Sequence, residues 1–209
     1  DPSKDPMPVN PTRRASPATQ RNLTFASLPL TLRGKTLADT TADDEDADDD
    51  LADVGHDIVA ITRAGNKPIG FGWYQEGYDH ESTDPGPVDA QGTHAAYITH
   101  HNGPQYFGYI ANNPKMSAHL PGLQNFFTAL TQHSLPTTGG LFYVKGGKHN
   151  ILGLKPVCPA PKVQANFLGD DDHPGYSDSQ ISEAQIAEIV NRIADSPYWK
   201  HCAIIITWE

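Results

Sequence analysis

The sequence predicts a loop-rich α/β fold, in which parallel strands form a partial core and helices flank it. The clearest indication lies near the C-terminus, where an apolar stripe at helical spacing ends before Ser196-Pro197. The stripe consists of Ile186, Ile189, Val190 and Ile193. Residues 203–208 then form an uninterrupted apolar run, which is typical of a strand buried on both faces of a parallel sheet. A helix that leads directly into such a strand is half of a βαβ unit.

Four further segments have the pattern of regular structure. Residues 69–74 and residues 141–145 are predicted to be short strands. Residues 104–112 and residues 121–133 have helical spacing. The buried face of the second of these helices is predicted to consist of Leu123, Phe126, Phe127 and Leu130.

The ends of these elements also carry signals. Residues 23–32 alternate well enough to be a strand, and Pro29 restricts that strand to the edge of a sheet. Ser177 and Gln180 have the spacing of a capping box, which predicts that the C-terminal helix begins there. Cys158 and Cys202 could form one disulfide or remain two free thiols, and the sequence leaves both alternatives open.

The chain divides into an irregular N-terminal segment, residues 1–21, and an incomplete domain, residues 22–209. The first segment contains five prolines, which is typical of coil. A dense acidic run from Asp43 to Asp50 lies in a predicted loop, residues 39–53. An EF-hand calcium loop needs a central Gly and a terminal bidentate Glu, and the run has neither. The sequence therefore favours a solvated loop over an ion site.

Composition limits the classes of partner. The formal net charge of −10 argues against binding to nucleic acid, which requires a basic surface, and against docking on anionic membranes by charge. There is no run of about 18 apolar residues, so no transmembrane segment is predicted. An acidic protein that binds a phosphate ester needs a metal ion or local cationic groups, and the 10 histidines are the first candidates.

Two polar positions flank the C-terminal helix and strand. Glu209 directly follows the predicted strand, at the sheet edge where ligands bind in open α/β folds, and its carboxylate could bind a cation. The alternative is an exposed carboxylate at a chain end. His173 lies in the loop 170–176 before the helix, where it could hydrogen-bond a phosphoryl oxygen or protonate a leaving group. The alternative there is a polar turn with a helix cap.

A histidine pair lies further upstream. His100 and His101 separate a predicted strand from the helix that begins near Pro104. Both imidazoles can face one pocket if the chain bends at Gly103-Pro104. The competing interpretation is a polar loop whose histidines are satisfied by their neighbours.

These segments together resemble the bacterial phosphoesterase family of acid phosphatases and phospholipases C. The matching segments are residues 70–78, 100–107, 171–178, 196–200 and 204–209, and the similarity extends from about Leu23 to the last residue. The resemblance implies a core like that of alkaline phosphatase. It also implies hydrolysis of phosphate esters, with a Ser or Thr nucleophile and a divalent metal ion whose identity is unknown. The substrate would be a small phosphate ester or a phospholipid headgroup, and the location would be extracytoplasmic.

Carried over by position, the resemblance makes His100, His101 and His173 the phosphate-facing histidines and Glu209 a metal ligand. The early Glu-Asn metal motif of the family, its nucleophile segment and the acidic and Asp-His residues expected after Glu209 have no counterpart here. We therefore expect an internal part of an enzyme that is inactive alone. The alternatives are a non-catalytic secreted protein that binds a metal or another ligand, and a structural remnant that binds nothing.

Overall fold

A computed structural model describes residues 27–33, 59–60, 63, 68–78, 96–98, 101–107, 110, 116, 118–158, 160 and 169–208. The chain forms two compact units. Unit 1 comprises Asp1–Trp73, Thr99–Leu120 and Pro136–Tyr143. Unit 2 comprises Tyr74–Ile98, Pro121–Leu135 and Val144–Glu209. The predicted boundary at residue 21 and the acidic loop 39–53 lie outside the described residues and stay predictions.

Two strands form a parallel sheet. β1 spans Gly70–Gln75 and β2 spans Gly140–Lys145. Where the strands begin, the N–H of Gly70 donates to the carbonyl of Gly139, the residue before β2 (3.1 Å). Where they end, the N–H of Glu76, the residue after β1, donates to the carbonyl of Lys145 (3.1 Å). The starts of the two strands are bonded to each other, and so are their ends, so the pairing is parallel. The predicted loop-rich α/β class is confirmed.

Aromatic side chains pack β1 within unit 1. The ring of Phe71 is buried and lies 4.9 Å from that of His119. The ring of Trp73 stacks on that of Tyr143 on β2, with centroids 4.6 Å apart. The stacked rings of Trp73 and Tyr143 form a cross-strand pair, which stabilises the pairing of β1 with β2.

Unit 1 also contains a short helix, α1, over Leu28–Arg33. The predicted strand over residues 23–32 is therefore wrong from Leu28 onward, and residues 23–26 lie outside the described part. Pro29 is compatible with a helix here because it lies in the first turn, where its missing N–H removes no helical hydrogen bond. The carbonyl of Leu32 accepts from the N–H of Ile69 (2.8 Å), which ties α1 to the start of β1.

In unit 2, α2 spans Leu123–Gln132 and confirms the predicted helix. Its buried side chains are those of the predicted face: Leu123, Phe126, Phe127 and Leu130. The helix ends at His133, whose backbone is left-handed (φ 54°), and whose N–H bonds to the carbonyls of Ala129 and Leu130. The guanidinium of Arg192 lies 4.1 Å from the Phe127 ring centroid, so α2 packs beside the next helix.

That helix, α3, spans Ser179–Ala194, as the apolar pattern predicts, but its start and its buried face differ from the prediction. The N-cap is Asp178, not Ser177, because the Asp178 carboxylate accepts from the N–H groups of Gln180 (2.8 Å) and Ile181 (3.3 Å). The buried residues are Ile181, Ser182, Gln185 and Ile189. Only Ile189 belongs to the predicted stripe, and two polar residues, Ser182 and Gln185, lie on the buried face instead.

Two other predicted elements change. Within the predicted helix 104–112, the structure has a 3₁₀ helix over Gly103–Tyr106. The predicted buried strand over residues 203–208 has no strand structure, and Ile205 and Trp208 are 83% and 76% exposed. A strand needs a partner for its backbone groups, and none of the described residues pairs with this run.

Cys158 and Cys202 are free thiols. Among the described residues, no helix has the length and apolar character needed to cross a membrane.

Candidate functional site

The loop that precedes α3 is closed by backbone hydrogen bonds and carries His173. We call residues 169–178 the His173 loop. The N–H of Gly169 donates to the carbonyl of Tyr176 (2.8 Å), and the N–H of Asp178 donates to the carbonyl of Gly169 (3.1 Å). The N–H of Ser177 donates to the carbonyl of His173 (3.0 Å). The two ends of the loop are therefore joined, which holds His173 close to the N-terminus of α3.

The His173 imidazole has a defined hydrogen-bonding state. Its Nδ1 accepts from the N–H of Gly175 (3.1 Å). A neutral imidazole whose Nδ1 is an acceptor carries its proton on Nε2. The ring is stacked on Tyr176, with centroids 4.3 Å apart and an interplanar angle of 6°. The loop thus orients a half-buried imidazole with Nε2–H as its donor.

Polar and charged side chains surround Tyr176. Its hydroxyl donates to Asp171 Oδ2 (3.2 Å), and the Ser177 hydroxyl donates to Asp171 Oδ1. The ammonium of Lys148 lies 5.7 Å from the centroid of the Tyr176 ring. Lys148 therefore places a positive charge beside the loop, in a chain whose net charge is −10.

Two buried carboxyl groups lie at the base of the loop, in unit 2. Glu76 is 0% exposed and Asp170 is 1% exposed. Asp170 Oδ1 accepts from the N–H of Gly147 (2.9 Å), and Glu76 Oε1 accepts from the N–H of Ile151 (2.9 Å). Burial raises the pKa of Asp170 to about 6. The charge of Asp171 adds to the rise, and the Glu76 side chain and the N–H of Gly147 oppose it.

The turn after β2 must consist of glycines because the carboxyl groups approach its backbone. A Cβ on Gly146 would lie 2.5 Å from Asp170 Oδ1 and 2.7 Å from Gln185 Nε2. A Cβ on Gly147 would lie 2.3 Å from the carbonyl oxygen of Ala96 and 2.9 Å from Glu76 Oε2. Such distances are far shorter than any van der Waals contact. Gln185 of α3 is buried beside the same turn.

The described member of the upstream histidine pair lies in unit 1. His101 is half-buried and precedes the 3₁₀ helix. The next residue, Asn102, is 0% exposed, and within the described residues neither its Oδ1 nor its Nδ2 has a hydrogen-bond partner. An unsatisfied buried polar group costs about 1–3 kcal/mol, so this amide is a group that a ligand or a bound water could stabilise.

The four predicted site residues are only partly described. His101 lies in unit 1 and His173 in unit 2. His100 and Glu209 lie outside the described residues, so their roles stay predictions. Within the described part of the chain, no group of three or more His, Cys, Asp or Glu side chains could hold a metal ion. The described residues therefore do not supply a complete metal site.

A cleft of about 270 Å³ lies between α2 and α3 but is remote from the His173 loop. Its lining includes Phe127 on α2 and Arg192, Asp195 and Ser196 at the C-terminal end of α3. The His173 loop precedes the other end of α3. At 1.5 Å per residue, a helix of 16 residues separates the two ends by about 24 Å.

A comparison with protein families identifies the family of the chain. The model of the Phosphoesterase family matches residues 36–209, which include β1, β2, α3 and the His173 loop. The chain belongs to the Phosphoesterase family. No curated protein matches the chain. The resemblance found in the sequence motifs is thereby confirmed, and the family is one of hydrolases that act on phosphate esters.

Several groups of this phosphoesterase were not singled out from its sequence. Glu76 directly follows β1 and Lys148 follows the glycine turn after β2, so both lie at carboxyl ends of parallel strands. Functional groups of open α/β sheets lie at those ends, and this signal could have identified both residues. For Asn102 no such signal exists, because its burial depends on the packing of unit 1.

Proposed function

We propose that this phosphoesterase is of the acid phosphatase or phospholipase C type and that His173 faces the phosphate group. The observation that supports the proposal most directly is the state of the His173 imidazole. Because Nδ1 accepts from the N–H of Gly175, the neutral ring keeps its proton on Nε2. A ring in that state can donate a hydrogen bond to a phosphoryl oxygen and can pass its proton to a leaving alkoxide.

Charge and packing around His173 support the same role. The stacked Tyr176 ring fixes the plane of the imidazole, which favours a directed hydrogen bond. The Lys148 ammonium beside that ring offsets part of the negative charge that would otherwise repel a phosphate ester. A local cation of this kind is what an acidic protein needs to bind an anionic substrate.

In unit 1, we propose that His100 and His101 also face phosphate. Asn102, the next residue, supports this proposal because its buried amide has no hydrogen-bond partner within the described residues. Its Nδ2 could donate to a phosphoryl oxygen, and that bond would offset the cost of burying the amide.

The nucleophile and the metal ion belong to the proposal. We propose a Ser or Thr nucleophile outside these 209 residues and a divalent cation for which Glu209 is one ligand. A bound cation would polarise the phosphoryl oxygen. Since the described residues do not supply a metal site, no step is assigned to the cation here. The extracytoplasmic location is likewise a proposal that rests on the family resemblance.

The test compares two chromogenic substrates, p-nitrophenyl phosphate as the monoester and p-nitrophenyl phosphorylcholine as the phospholipid-like diester. Hydrolysis by the protein, with and without added Mg²⁺, Mn²⁺ or Zn²⁺, is measured beside binding of inorganic phosphate by calorimetry. We expect His173→Ala to weaken phosphate binding at least tenfold and any hydrolysis by more. His201→Ala, an exposed histidine after α3, is the matched control.

The outcomes separate the alternatives. Where hydrolysis is observed, faster hydrolysis of the monoester indicates a phosphatase, and faster hydrolysis of the diester indicates a phospholipase C. Because the nucleophile is proposed to lie outside these 209 residues, the absence of hydrolysis does not distinguish the alternatives, and a protein that does not bind inorganic phosphate at all would contradict the proposal. Equal phosphate affinity of the His173→Ala variant and the unmodified protein would contradict the role of His173.

A further inference from the structure

The Asp171 carboxylate connects two hydroxyl groups at the C-terminal end of the His173 loop. Its Oδ2 accepts from the hydroxyl of Tyr176 (3.2 Å), and its Oδ1 accepts from the hydroxyl of Ser177. These residues follow Asp171 by five and six positions, so the two bonds cross the loop. Asp170, its neighbour, instead accepts from the glycine turn after β2. Of the two adjacent carboxyl groups, one therefore attaches the loop to the end of the sheet, and the other acts within the loop.

The contact with Asp171 fixes the outer end of the Tyr176 side chain. At the backbone end, the carbonyl of Tyr176 accepts from the N–H of Gly169 (2.8 Å). The long axis of a tyrosine side chain runs from Cβ to the hydroxyl oxygen. Because the loop holds one end of this axis and Asp171 holds the other, the position of the ring is set at both ends. The Lys148 ammonium, 5.7 Å from the ring centroid, is a further contact.

The His173 imidazole takes its orientation from this ring. The planes of the two rings differ by 6°, and their centroids lie 4.3 Å apart. At the edge of the imidazole, Nδ1 accepts from the N–H of Gly175 (3.1 Å). The stacking fixes the plane of the imidazole, and the hydrogen bond fixes its rotation within that plane. Displacement of the Tyr176 ring would therefore remove the restraint on the plane.

We propose that Asp171 is a positioning residue for His173 and acts through Tyr176. The carboxylate holds the tyrosine hydroxyl, the tyrosine ring holds the plane of the imidazole, and the imidazole thereby presents its Nε2–H in one direction. A donor that is already oriented loses less conformational freedom when it binds a ligand, which raises the affinity. The consequence for phosphate binding rests on the proposed function of His173. The placement of the ring rests only on contacts within the loop.

The chemistry of the carboxylate suits this position. It has two oxygen atoms and no proton to donate, so it accepts from two hydroxyl groups at once. An asparagine offers one acceptor oxygen and an NH₂ group, which can donate to the oxygen of the second hydroxyl. Alanine offers neither. Asp171→Asn is therefore the conservative change, and Asp171→Ala removes both contacts.

Ring-current shifts in the ¹H NMR spectrum measure the stacking directly. Protons that lie over an aromatic face resonate upfield, so we expect the ring protons of His173 upfield of those of the exposed His201. In Asp171→Ala about half or more of this difference should be lost, whereas Asp171→Asn should keep most of it. Asp172→Asn is the matched control and should leave the shift unchanged. It removes the same charge from the next residue, which is exposed, and Asn is compatible with the left-handed backbone there (φ 62°).

Hydrogen exchange separates the positioning of one ring from loss of the loop. The amides of Gly169 and Asp178 close the loop without the Asp171 carboxylate, so their protection should change less than about threefold in Asp171→Ala. Tyr176→Phe is a second variant, because it removes the hydroxyl and retains the ring. It should also reduce the upfield shift. Adding Asp171→Ala to Tyr176→Phe should reduce the shift little further, because both changes break the same contact.

Binding of inorganic phosphate, measured by calorimetry, tests the consequence. We expect the affinity to fall about three- to tenfold in Asp171→Ala and in Tyr176→Phe, which is less than in His173→Ala. Asp172→Asn should change it less than about twofold. Unchanged affinity in Asp171→Ala and Tyr176→Phe, while His173→Ala binds weakly, would overturn the link between ring position and phosphate. Unchanged affinity in His173→Ala as well would overturn the proposed function together with this consequence.

The NMR signature decides the positioning role independently of phosphate. An unchanged upfield shift of the His173 ring protons in Asp171→Ala and in Tyr176→Phe would overturn that role. A shift that is lost together with the protection of the Gly169 and Asp178 amides would overturn it as well, because the carboxylate would then stabilise the whole loop. A reduced shift with retained protection is the result that the proposal predicts.

Discussion

Gly147 and Asp170 are joined by two hydrogen bonds, from the N–H of Gly147 to Asp170 Oδ1 (2.9 Å) and from the N–H of Asp170 to the carbonyl of Gly147 (3.1 Å). Gly147 lies in the turn after β2, and Asp170 is the second residue of the His173 loop. The sheet end and the loop are thus connected by main chain and side chain at once. The position of His173 therefore depends on a glycine that is 26 residues away in sequence.

The first prediction concerns the glycine turn. Gly146→Ala and Gly147→Ala should each lower the free energy of unfolding by about 2–3 kcal/mol, because the added methyl group meets Asp170 Oδ1 or the Ala96 carbonyl at 2.5 Å or less. Urea unfolding monitored by far-UV circular dichroism measures the loss. Gly175→Ala is the control, since its Cβ would lie 3.5 Å from the His173 ring, an ordinary contact. Equal stability of all three variants would contradict the close approach of the carboxyl group.

The second prediction is a decrease in stability with rising pH. The raised pKa of Asp170, about 6 against 3.8, corresponds to at most about 3 kcal/mol of stabilisation that is present below pH 4 and lost by about pH 6. The measurement is the difference in unfolding free energy between the unmodified protein and Asp170→Asn at each pH, which cancels the titration of other groups. A difference that does not change between pH 4 and pH 7 would contradict the raised pKa.

The third prediction tests the start of α3. Asp178→Ala should cost about 1 kcal/mol, because it removes the acceptor for the N–H groups of Gln180 and Ile181. The exposed first residue of the helix, Ser179, provides the control, and Ser179→Ala should change the stability by less than about 0.5 kcal/mol. Thermal unfolding compares the two. A larger loss of stability for Ser179→Ala than for Asp178→Ala would contradict the assignment of Asp178 as the N-cap.

The fourth prediction compares two asparagines. Asn102→Ala should change the free energy of unfolding by less than about 1 kcal/mol, because no described residue hydrogen-bonds its amide. Asn150→Ala should cost about 1–3 kcal/mol, because its amide bonds the backbone of Leu154 as both donor (2.5 Å) and acceptor (2.8 Å). If Asn102 faces phosphate, its Ala variant should nevertheless bind inorganic phosphate more weakly. An equal loss of stability in both variants would show that Asn102 is satisfied internally.

Apolar periodicity was sufficient to predict the elements whose partners are apolar. The buried face of α2 is the predicted one, and β2 starts within one residue of its predicted position. α3 shows the limit of the pattern. Its buried face includes two polar residues. The Ser182 hydroxyl donates to the carbonyl of Asp178 (3.2 Å), and Gln185 lies against the glycine turn beside Asp170. Periodicity of apolar residues cannot identify a face that is buried for polar reasons.

The candidate site was less predictable than the fold. His173 could be singled out because an imidazole before a helix N-terminus is a recognisable arrangement. The approach of Glu76 and Asp170 to the same glycine turn could not be predicted, since the two residues are 94 positions apart in sequence. The strand predicted over residues 203–208 was wrong for a related reason. An apolar run indicates a buried strand only where a neighbouring strand pairs with it.

The most direct test of a phosphate-facing His173 is the side-chain ¹⁵N NMR spectrum of the protein during titration with inorganic phosphate. We predict that Nδ1 is unprotonated and that Nε2 carries the proton before phosphate is added. The Nε2–H resonance should then shift with saturation, while the resonances of the exposed His201 should not. A proton on Nδ1, or an Nε2–H resonance unchanged at saturating phosphate, would contradict the account.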